Sequence, residues 1–298
     1  MHPADPPPPG TSSAAPGAFS GAASGATPRL WLVAGTGEGP PLAAALLALG
    51  WRVRVSLVGA AAARAYAPHP ALEITLGALD GNTLAAALAQ GRAAGDPFHW
   101  VVDASHPFAR RITALLQEVC RGLGQPLLRL QRPPLDGPAG GPPVQLLEGI
   151  DALGHCGSWQ GRRLLLAIGS RHLPAARRAS AAALHFARVL PAPDSLALAL
   201  AASLPPERIA CLRPGGSGAI ERALCRRWGI THVLCRQSGG STEALWRGLC
   251  RDLALPLLLL RAPAEPAGAV ALSPGELLER IGAPGPRPPA WKSAAPPP

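Results

Sequence analysis

Lysine is all but missing from this chain: among 298 residues Lys292 is the only one, and it lies in a Pro-rich tail. A Schiff-base lysine, a lysine nucleophile and the lysine of a Walker-type phosphate loop are therefore excluded from the folded region. Aromatic residues are scarce, at 4%, so the core is built from Leu, Val and Ala. No run of about 18 apolar residues occurs, so no membrane-spanning helix is expected. Residues 1–28 lack the basic start and apolar core of a secretion signal. The six cysteines, at 120, 156, 211, 225, 235 and 250, show neither a Cys-x-x-Cys pair nor zinc spacing. They read as reduced thiols of a cytoplasmic protein with no metal site.

What is present is apolar and arginine-rich. Hydrophobic residues make up 48% of the chain, enough for two α/β domains with real cores. The formal net charge is +10, carried by arginine, and it is uneven. Residues 1–131 hold 9 basic and 7 acidic side chains, whereas residues 132–298 hold 19 and 11. High-GC coding bias accounts for this, and so does a polyanionic ligand of the second half, since the guanidinium suits carboxylate and phosphate. Nucleic acid is the weaker version of that ligand, because no aromatic-basic platform accompanies the charge.

Apolar runs alternate with helical periodicity. Strands are predicted at 30–34, 53–57, 72–75, 100–102 and 127–130, and again at 144–147, 164–168, 187–190, 209–212, 232–235 and 256–260. Asp194 and Ser195 are expected to cap a helix over 196–202. Strands alternating with helices of this length imply βαβ units and parallel sheets. The fold class is α/β, with two Rossmann-like, doubly wound parallel-sheet domains and an interdomain cleft. The expected boundaries are a disordered tail over 1–28, an N-terminal domain over 29–131, a Pro/Gly linker over 132–143, a C-terminal domain over 144–281 and a second disordered tail over 282–298.

Polar loops follow several of these strands, at the edge where open α/β sheets bind ligands. Asp103-Ala-Ser-His-Pro-Phe-Ala109 places an acid, a hydroxyl and an imidazole in one tight turn. Local capping explains part of it, Ser105 above all. A Ser-His-Asp triad is excluded by the crowding of the three groups and by the lack of a nucleophile elbow. Holding substrate or supplying a proton fits Asp103 and His106 better. Gly35-Thr36-Gly37-Glu38-Gly39 joins the first strand to the first helix, but Pro40 stands where a dinucleotide fingerprint has its third glycine. Arg52 and Arg54 lie on the second strand where a ribose-binding acid is usual, which favours a 2′-phosphate. Gly169-Ser170-Arg171-His172 and Gln237-Ser238-Gly239-Gly240-Ser241-Thr242 are candidate anion cradles, with Gly215-Gly-Ser-Gly218 a weaker one. Each also reads as an ordinary strand–helix turn; together at one edge they point to a cleft site.

In these pieces the chain resembles the precorrin-6A reductase family of cobalamin biosynthesis. The resemblance runs through Gly35–Glu38, Asp103–Ala109, Pro126–Pro133, Gly169–Arg171, Arg188–Pro191 and Ser238–Gly240, and covers residues 29–262. The Asp-x-Ser-His-Pro-Phe-Ala element is its specific part. The resemblance implies an NADPH-dependent reduction of one double bond in a contracted tetrapyrrole, either precorrin-6A or its cobalt form. Asp103 and His106 would be catalytic, positioning the macrocycle, with one of them or a bound water as acid. Gly35, Thr36, Gly37, Glu38, Ser238, Gly239 and Gly240 would border NADPH, and Ser105, Phe108, Ser170, Arg171 and Ser241 the substrate. Neighbouring enzymes of the pathway are possible partners, with no membrane or nucleic acid involved. The family's last motif reads Lys-Asp-Ser-Gly-Gly with a lysine on the next helix; here it is Arg236-Gln-Ser-Gly-Gly240, followed by Trp246-Arg247. Which domain holds NADPH stays open at this level.

Other readings compete. A non-redox two-lobed tetrapyrrole enzyme resembling uroporphyrinogen-III synthase shares the architecture and the acidic ligand but has no use for NADPH. A short-chain dehydrogenase is excluded, because Tyr66 is the only tyrosine and no lysine lies four residues beyond it. A nucleic-acid-binding module rests on charge alone and predicts steeply salt-dependent binding to any duplex.

Overall fold

The structure is a computed structural model and describes residues 27–35, 37–135, 142–213 and 216–284. The two predicted tails lie outside the described residues save for 27–28 and 282–284, as do 136–141 of the predicted linker, Thr36 and Gly215.

The first half forms β1 (Arg29–Val33), α1 (Gly39–Ala48), β2 (Arg52–Leu57), α2 (Ala60–Ala63), β3 (Leu72–Leu76), α3 (Gly81–Ala93), β4 (Phe98–Asp103), α4 (Arg110–Gly122) and β5 (Leu127–Leu130). The second half forms β6 (Val144–Leu147), β7 (Arg163–Ala167), α5 (Leu173–Ala179), β8 (Leu184–Val189), α6 (Pro193–Ala201), β9 (Ile209–Cys211), α7 (Ala219–Arg227), β10 (His232–Arg236), α8 (Ser241–Asp252) and β11 (Leu257–Leu260), followed by β12 (Ala271–Leu272) and α9 (Pro274–Ile281). These make two six-stranded sheets, in the orders β12-β5-β4-β1-β2-β3 and β6-β11-β10-β7-β8-β9, with every pairing parallel. Both are doubly wound: the chain leaves β1 and β7 in one direction, then returns to their other side with β4 and β10. The crevices between β1 and β4 and between β7 and β10 are therefore the two topological switch points.

Strand alternation places each sheet between helical layers. On β1, Leu30 and Leu32 pack with Leu42 and Leu46 of α1, while Trp31 and Val33 pack with Leu84 of α3 and Leu116 of α4. In the second sheet, Leu164 and Leu166 face α5 and α6, and Leu165 and Ala167 face α7 and α8. Burying these aliphatic side chains, at roughly 1.5–3 kcal/mol each, is what holds the aromatic-poor sheets together.

Three expectations need correction. The predicted C-terminal domain over 144–281 does not keep its last segment. Ala271 and Leu272 pair with Arg129 and Leu130 of β5, completing the first sheet, and Leu277 and Ile281 of α9 are buried in the core beneath α1. A capping box fixes the start of α9, with Glu276 Oε2 accepting the Ser273 N–H at 2.8 Å and Ser273 Oγ accepting the Glu276 N–H at 3.4 Å. The chain thus crosses from one lobe to the other twice, after β5 and after β11. The helix at 193–201 begins one turn before its predicted start. Its N-cap is Ala192, with Pro193 in the first turn, so neither Asp194 nor Ser195 caps it. Finally, Arg52 opens β2 at the amino edge, where it joins Arg29 in pairing with Asp96, and Arg54 pairs with Glu73 at 2.9 Å. Neither is available for a 2′-phosphate, because the ligand edge is the other end of the strand.

Candidate functional site

The four principal loops leave the carboxyl ends of β1, β4, β7 and β10, so they border the two switch points. The first pair is stitched together where the Ala104 N–H donates to the Val33 carbonyl at 2.9 Å. The two lobes also touch here. Arg132, just after β5, contacts Glu38 of the first lobe at 2.5 Å and donates to the Ser238 carbonyl of the second at 3.1 Å.

Asp103 ends β4 and is 1% exposed. Its Oδ1 accepts the Ser105 backbone N–H at 2.9 Å, and its Oδ2 lies 2.9 Å from Arg129 Nη1. Arg129, itself buried, also donates to Ser105 Oγ at 3.1 Å and to Glu265 at 3.1 Å. Glu265 belongs to the second crossing, so one arginine ties the acid loop to the chain that closes the sheet. A carboxylate pinned in this way shapes the loop.

His106 is half-buried, and its Nδ1 accepts the Phe108 backbone N–H at 3.2 Å. Burial, then the charges of Arg236, Arg132 and Arg129, push its pKa down to about 3. The imidazole is neutral near pH 7 and, with Nδ1 accepting, keeps its proton on Nε2 as a hydrogen-bond donor. Phe108 packs 5.7 Å from the His106 ring, and the guanidinium of Arg236, from the second lobe, lies 5.3 Å from the Phe108 centroid. The structure thus brings His106 and Phe108 together with Arg236, the residue that stands where the resembled family has its lysine.

The loop after β10 differs from the expected cradle. Glu243, 1% exposed in the first turn of α8, accepts the N–H groups of Ser238 and Gly239 at 2.7 and 2.8 Å. Its other oxygen accepts from Arg247 at 2.7 Å. The chain's own carboxylate occupies the nest that sequence assigned to a phosphate, so Ser238 and Gly239 offer no free amide donors. A Cβ on Gly240 would stand 2.7 Å from Glu38, so here glycine lets the two lobes meet. Gln237 accepts the Ala262 N–H at 3.2 Å and pins the second crossing.

The loop after β1 is open. Gly35 and Gly37 are exposed, and a Cβ built on either meets nothing within 4 Å. Gly39 is the opposite case, since a Cβ there would strike the Tyr66 hydroxyl, which donates to the Gly35 carbonyl at 2.8 Å. Pro40 and Pro41 strip two amide donors from the first turn of α1, leaving mainly the loop backbone and the helix dipole to receive an anion. Across the cleft, Ser170 is half-buried, while Arg171 and Ser241 are exposed at the carboxyl edge of the second sheet. Burial, Arg236 and Arg171, in that order, lower the pKa of the neighbouring His172.

Arg129, Arg132, Arg236 and Glu243 shape the site but were not named as site residues from sequence. The three arginines carried a signal, since Arg129 and Arg132 lie in the resembled stretch Pro126–Pro133 and Arg236 stands where the family has its lysine; Glu243 carried none. Among the described residues no group of His, Cys, Asp and Glu gathers to hold a metal, and no helix is long and apolar enough to cross a membrane.

Comparisons with known proteins agree on one family. The family described as precorrin-6x reductase CbiJ/CobK matches residues 29–281. A Synechocystis protein named cobalt-precorrin-6A reductase is 31% identical over 246 residues, 81% of this chain and 91% of its own. A Mycobacterium tuberculosis protein named precorrin-6A reductase is 31% identical over 245 residues, 82% of this chain and 93% of its own. The solved structure of a CobK precorrin-6A reductase superposes with a TM-score of 0.66 at 25% identity, covering 86% of this chain and 96% of that one.

Proposed function

The chain belongs to the precorrin-6x reductase CbiJ/CobK family, and from that premise we propose that it reduces one double bond of precorrin-6A or cobalt-precorrin-6A, with NADPH as the reductant, in cobalamin biosynthesis. The observation that carries this reading is the meeting of the two switch points: Arg132 links Glu38 to Ser238, and Phe108 of one lobe packs on Arg236 of the other. A cleft lined from both sides suits a large, flat, polycarboxylate ligand beside a dinucleotide.

The residues present fit a nicotinamide dinucleotide in the first lobe. Open backbone at Gly35 and Gly37 lets a phosphate approach closely, and the adjacent N-terminus of α1 favours negative charge. When bound, NADPH supplies a hydride to the ring carbon, and reduction is completed by a proton on the adjacent carbon. The side chains orient the reactants and exclude water. Asp103 holds the loop through Arg129 and is a positioning residue. His106 offers a neutral Nε2–H to the macrocycle, and with both groups occupied in this way a bound water is the favoured proton source. Ser105, Ser170, Arg171 and Ser241 border the substrate side.

The test is to mix the protein with NADPH and enzymatically prepared precorrin-6A, then the cobalt form, and follow nicotinamide absorbance and the macrocycle band together. Coupled loss of NADPH and a shifted band are expected. No turnover with either substrate and no NADPH binding would reject the reading in favour of a non-redox tetrapyrrole enzyme.

A further inference from the structure

Arg236 is the last residue of β10 and stands in the cleft without a hydrogen bond or an acidic partner among the described residues. Its guanidinium lies 5.3 Å from the Phe108 ring centroid, and a Cβ on Gly169 would come within 3.4 Å of Nη2. Gly169 holds φ at +84°, a conformation that favours glycine, and its missing side chain leaves the fork uncovered on that side. Arg188, on β8, is about nine-tenths buried, and its Nε and Nη2 have no hydrogen-bond partner among the described residues. Glu221, on α7, is the acid whose charge bears on Arg188, and its own Oε1 is also unpartnered among the described residues. Arg188 and Arg236 oppose one another electrostatically, and the same Arg236 charge bears on His106 and His172.

A guanidinium held where the lobes meet with its hydrogen-bonding capacity unused is unfavourable unless an anion completes its shell. The shape of the group says which anion. The Arg236 guanidinium has an aromatic ring for a neighbour rather than a polar partner, and its unused donors lie in the guanidinium plane, where two oxygens of a carboxylate or phosphate are received side by side. We propose that Arg236 is the oxyanion anchor of the cleft and takes a carboxylate or phosphate group of the bound ligand between Phe108 and Gly169. The source of that anion, a peripheral carboxylate of the tetrapyrrole or a phosphate of the dinucleotide, rests on the proposed reduction; the anchor itself does not.

The experiment is a pair of equilibrium titrations that need no turnover: uroporphyrin III, an unreactive octacarboxylate, followed by its own fluorescence, and NADPH, followed by its emission. Wild type, Arg236→Gln, Arg236→Lys and the exposed α7 variant Arg226→Gln are compared at low salt. Arg236→Gln is expected to weaken one of the two ligands about tenfold or more, with partial recovery in Arg236→Lys and no change in Arg226→Gln. Loss confined to uroporphyrin III makes the anion a carboxylate; loss confined to NADPH makes it a phosphate. If Arg236→Gln does not fold, Arg236→Lys is read alone, and a loss of roughly threefold or more is expected from replacing a fork by a point charge. Affinities within twofold of wild type for both ligands, or a wild type that binds neither, overturn the proposal. A wild type that binds uroporphyrin III through Arg236 yet does not reduce precorrin-6A leaves the anchor standing and rejects the reductase reading alone.

Discussion

Arg129 and Asp103 form an ion pair at 2.9 Å in which neither side chain reaches solvent. The arginine sits on β5 directly opposite the acid at the end of β4. Removing one member of a buried pair strands the other, at a cost of about 3–5 kcal/mol. Asp103→Ala is therefore expected to lose stability on that scale, measured by urea unfolding. Asp103→Leu combined with Arg129→Met is expected to recover a substantial part of it. An Asp103→Ala protein with unchanged stability and abolished turnover would show that the carboxylate touches the reactants after all.

The nest at Ser238 and Gly239 is filled by Glu243. Glu243→Gln keeps the shape and removes the charge that two amides and Arg247 share. Charge-assisted hydrogen bonds contribute about 1.5–3 kcal/mol each, so a loss of about 2–3 kcal/mol is expected in denaturant titration. In Glu243→Gly the emptied nest is expected to take inorganic phosphate, seen as a rise in melting temperature that wild type lacks. A phosphate-insensitive Glu243→Gly would rule out the nest as a latent anion site.

The glycines of the first loop should separate cleanly. Gly39→Ala is expected to destabilise the protein strongly, because its Cβ strikes the Tyr66 hydroxyl and comes within 2.8 Å of the Ala34 Cβ. Tyr66→Phe in the same chain is expected to relieve part of that loss. Gly37→Ala meets open space and should melt with wild type, yet weaken NADPH binding if the dinucleotide approaches that backbone. Thermal melts and fluorescence titration distinguish the two effects; unaltered NADPH affinity would move the cofactor away from this loop.

Buried histidines set the acid limb of stability. His185, 6% exposed and 3.0 Å from Ser180 Oγ, has its pKa pushed down to about 4, first by burial and then by Arg177. Between pH 6.5 and 4 the unfolded chain therefore binds a proton that the folded chain does not. Stability rises with pH across that window and is lost as the pH falls through it. The loss for this one group is ~3 kcal/mol. Denaturant midpoints from pH 7.5 to 4.5 are expected to fall less steeply in His185→Asn than in wild type, and parallel curves would contradict this assignment.

Much of the fold was legible because buried parallel strands are nearly continuous aliphatic runs. Leu127–Leu130 and Val144–Leu147 coincide with their predictions, and other strands differ by a residue or more at their ends. The loops carrying Asp103, Gly169 and Ser238 were likewise placed at the ligand edge by their position after a strand. What escaped was tertiary. A two-residue strand such as Ala271–Leu272 has no period, and its partner, Arg129–Leu130, lies far upstream. The role of Glu243 was hidden for a different reason: its helix position and acidity suit ordinary capping, and only the backbone course shows which amides it receives. Arg52 and Arg54 misled because residue type alone does not say which end of a strand faces the cleft.

The double crossing also orders events during synthesis. When β1 to β5 have left the ribosome, β5 is still an exposed edge and the apolar surface later covered by Leu277 and Ile281 is bare. The second sheet has every strand it needs by Leu260, so it can close while the first waits. An unpaired edge beside uncovered apolar surface invites wrong partners. The nascent first lobe is thus the stage at which a chaperone or a slowed ribosome would matter most, and β12 and α9, which follow the whole second sheet, are what release it.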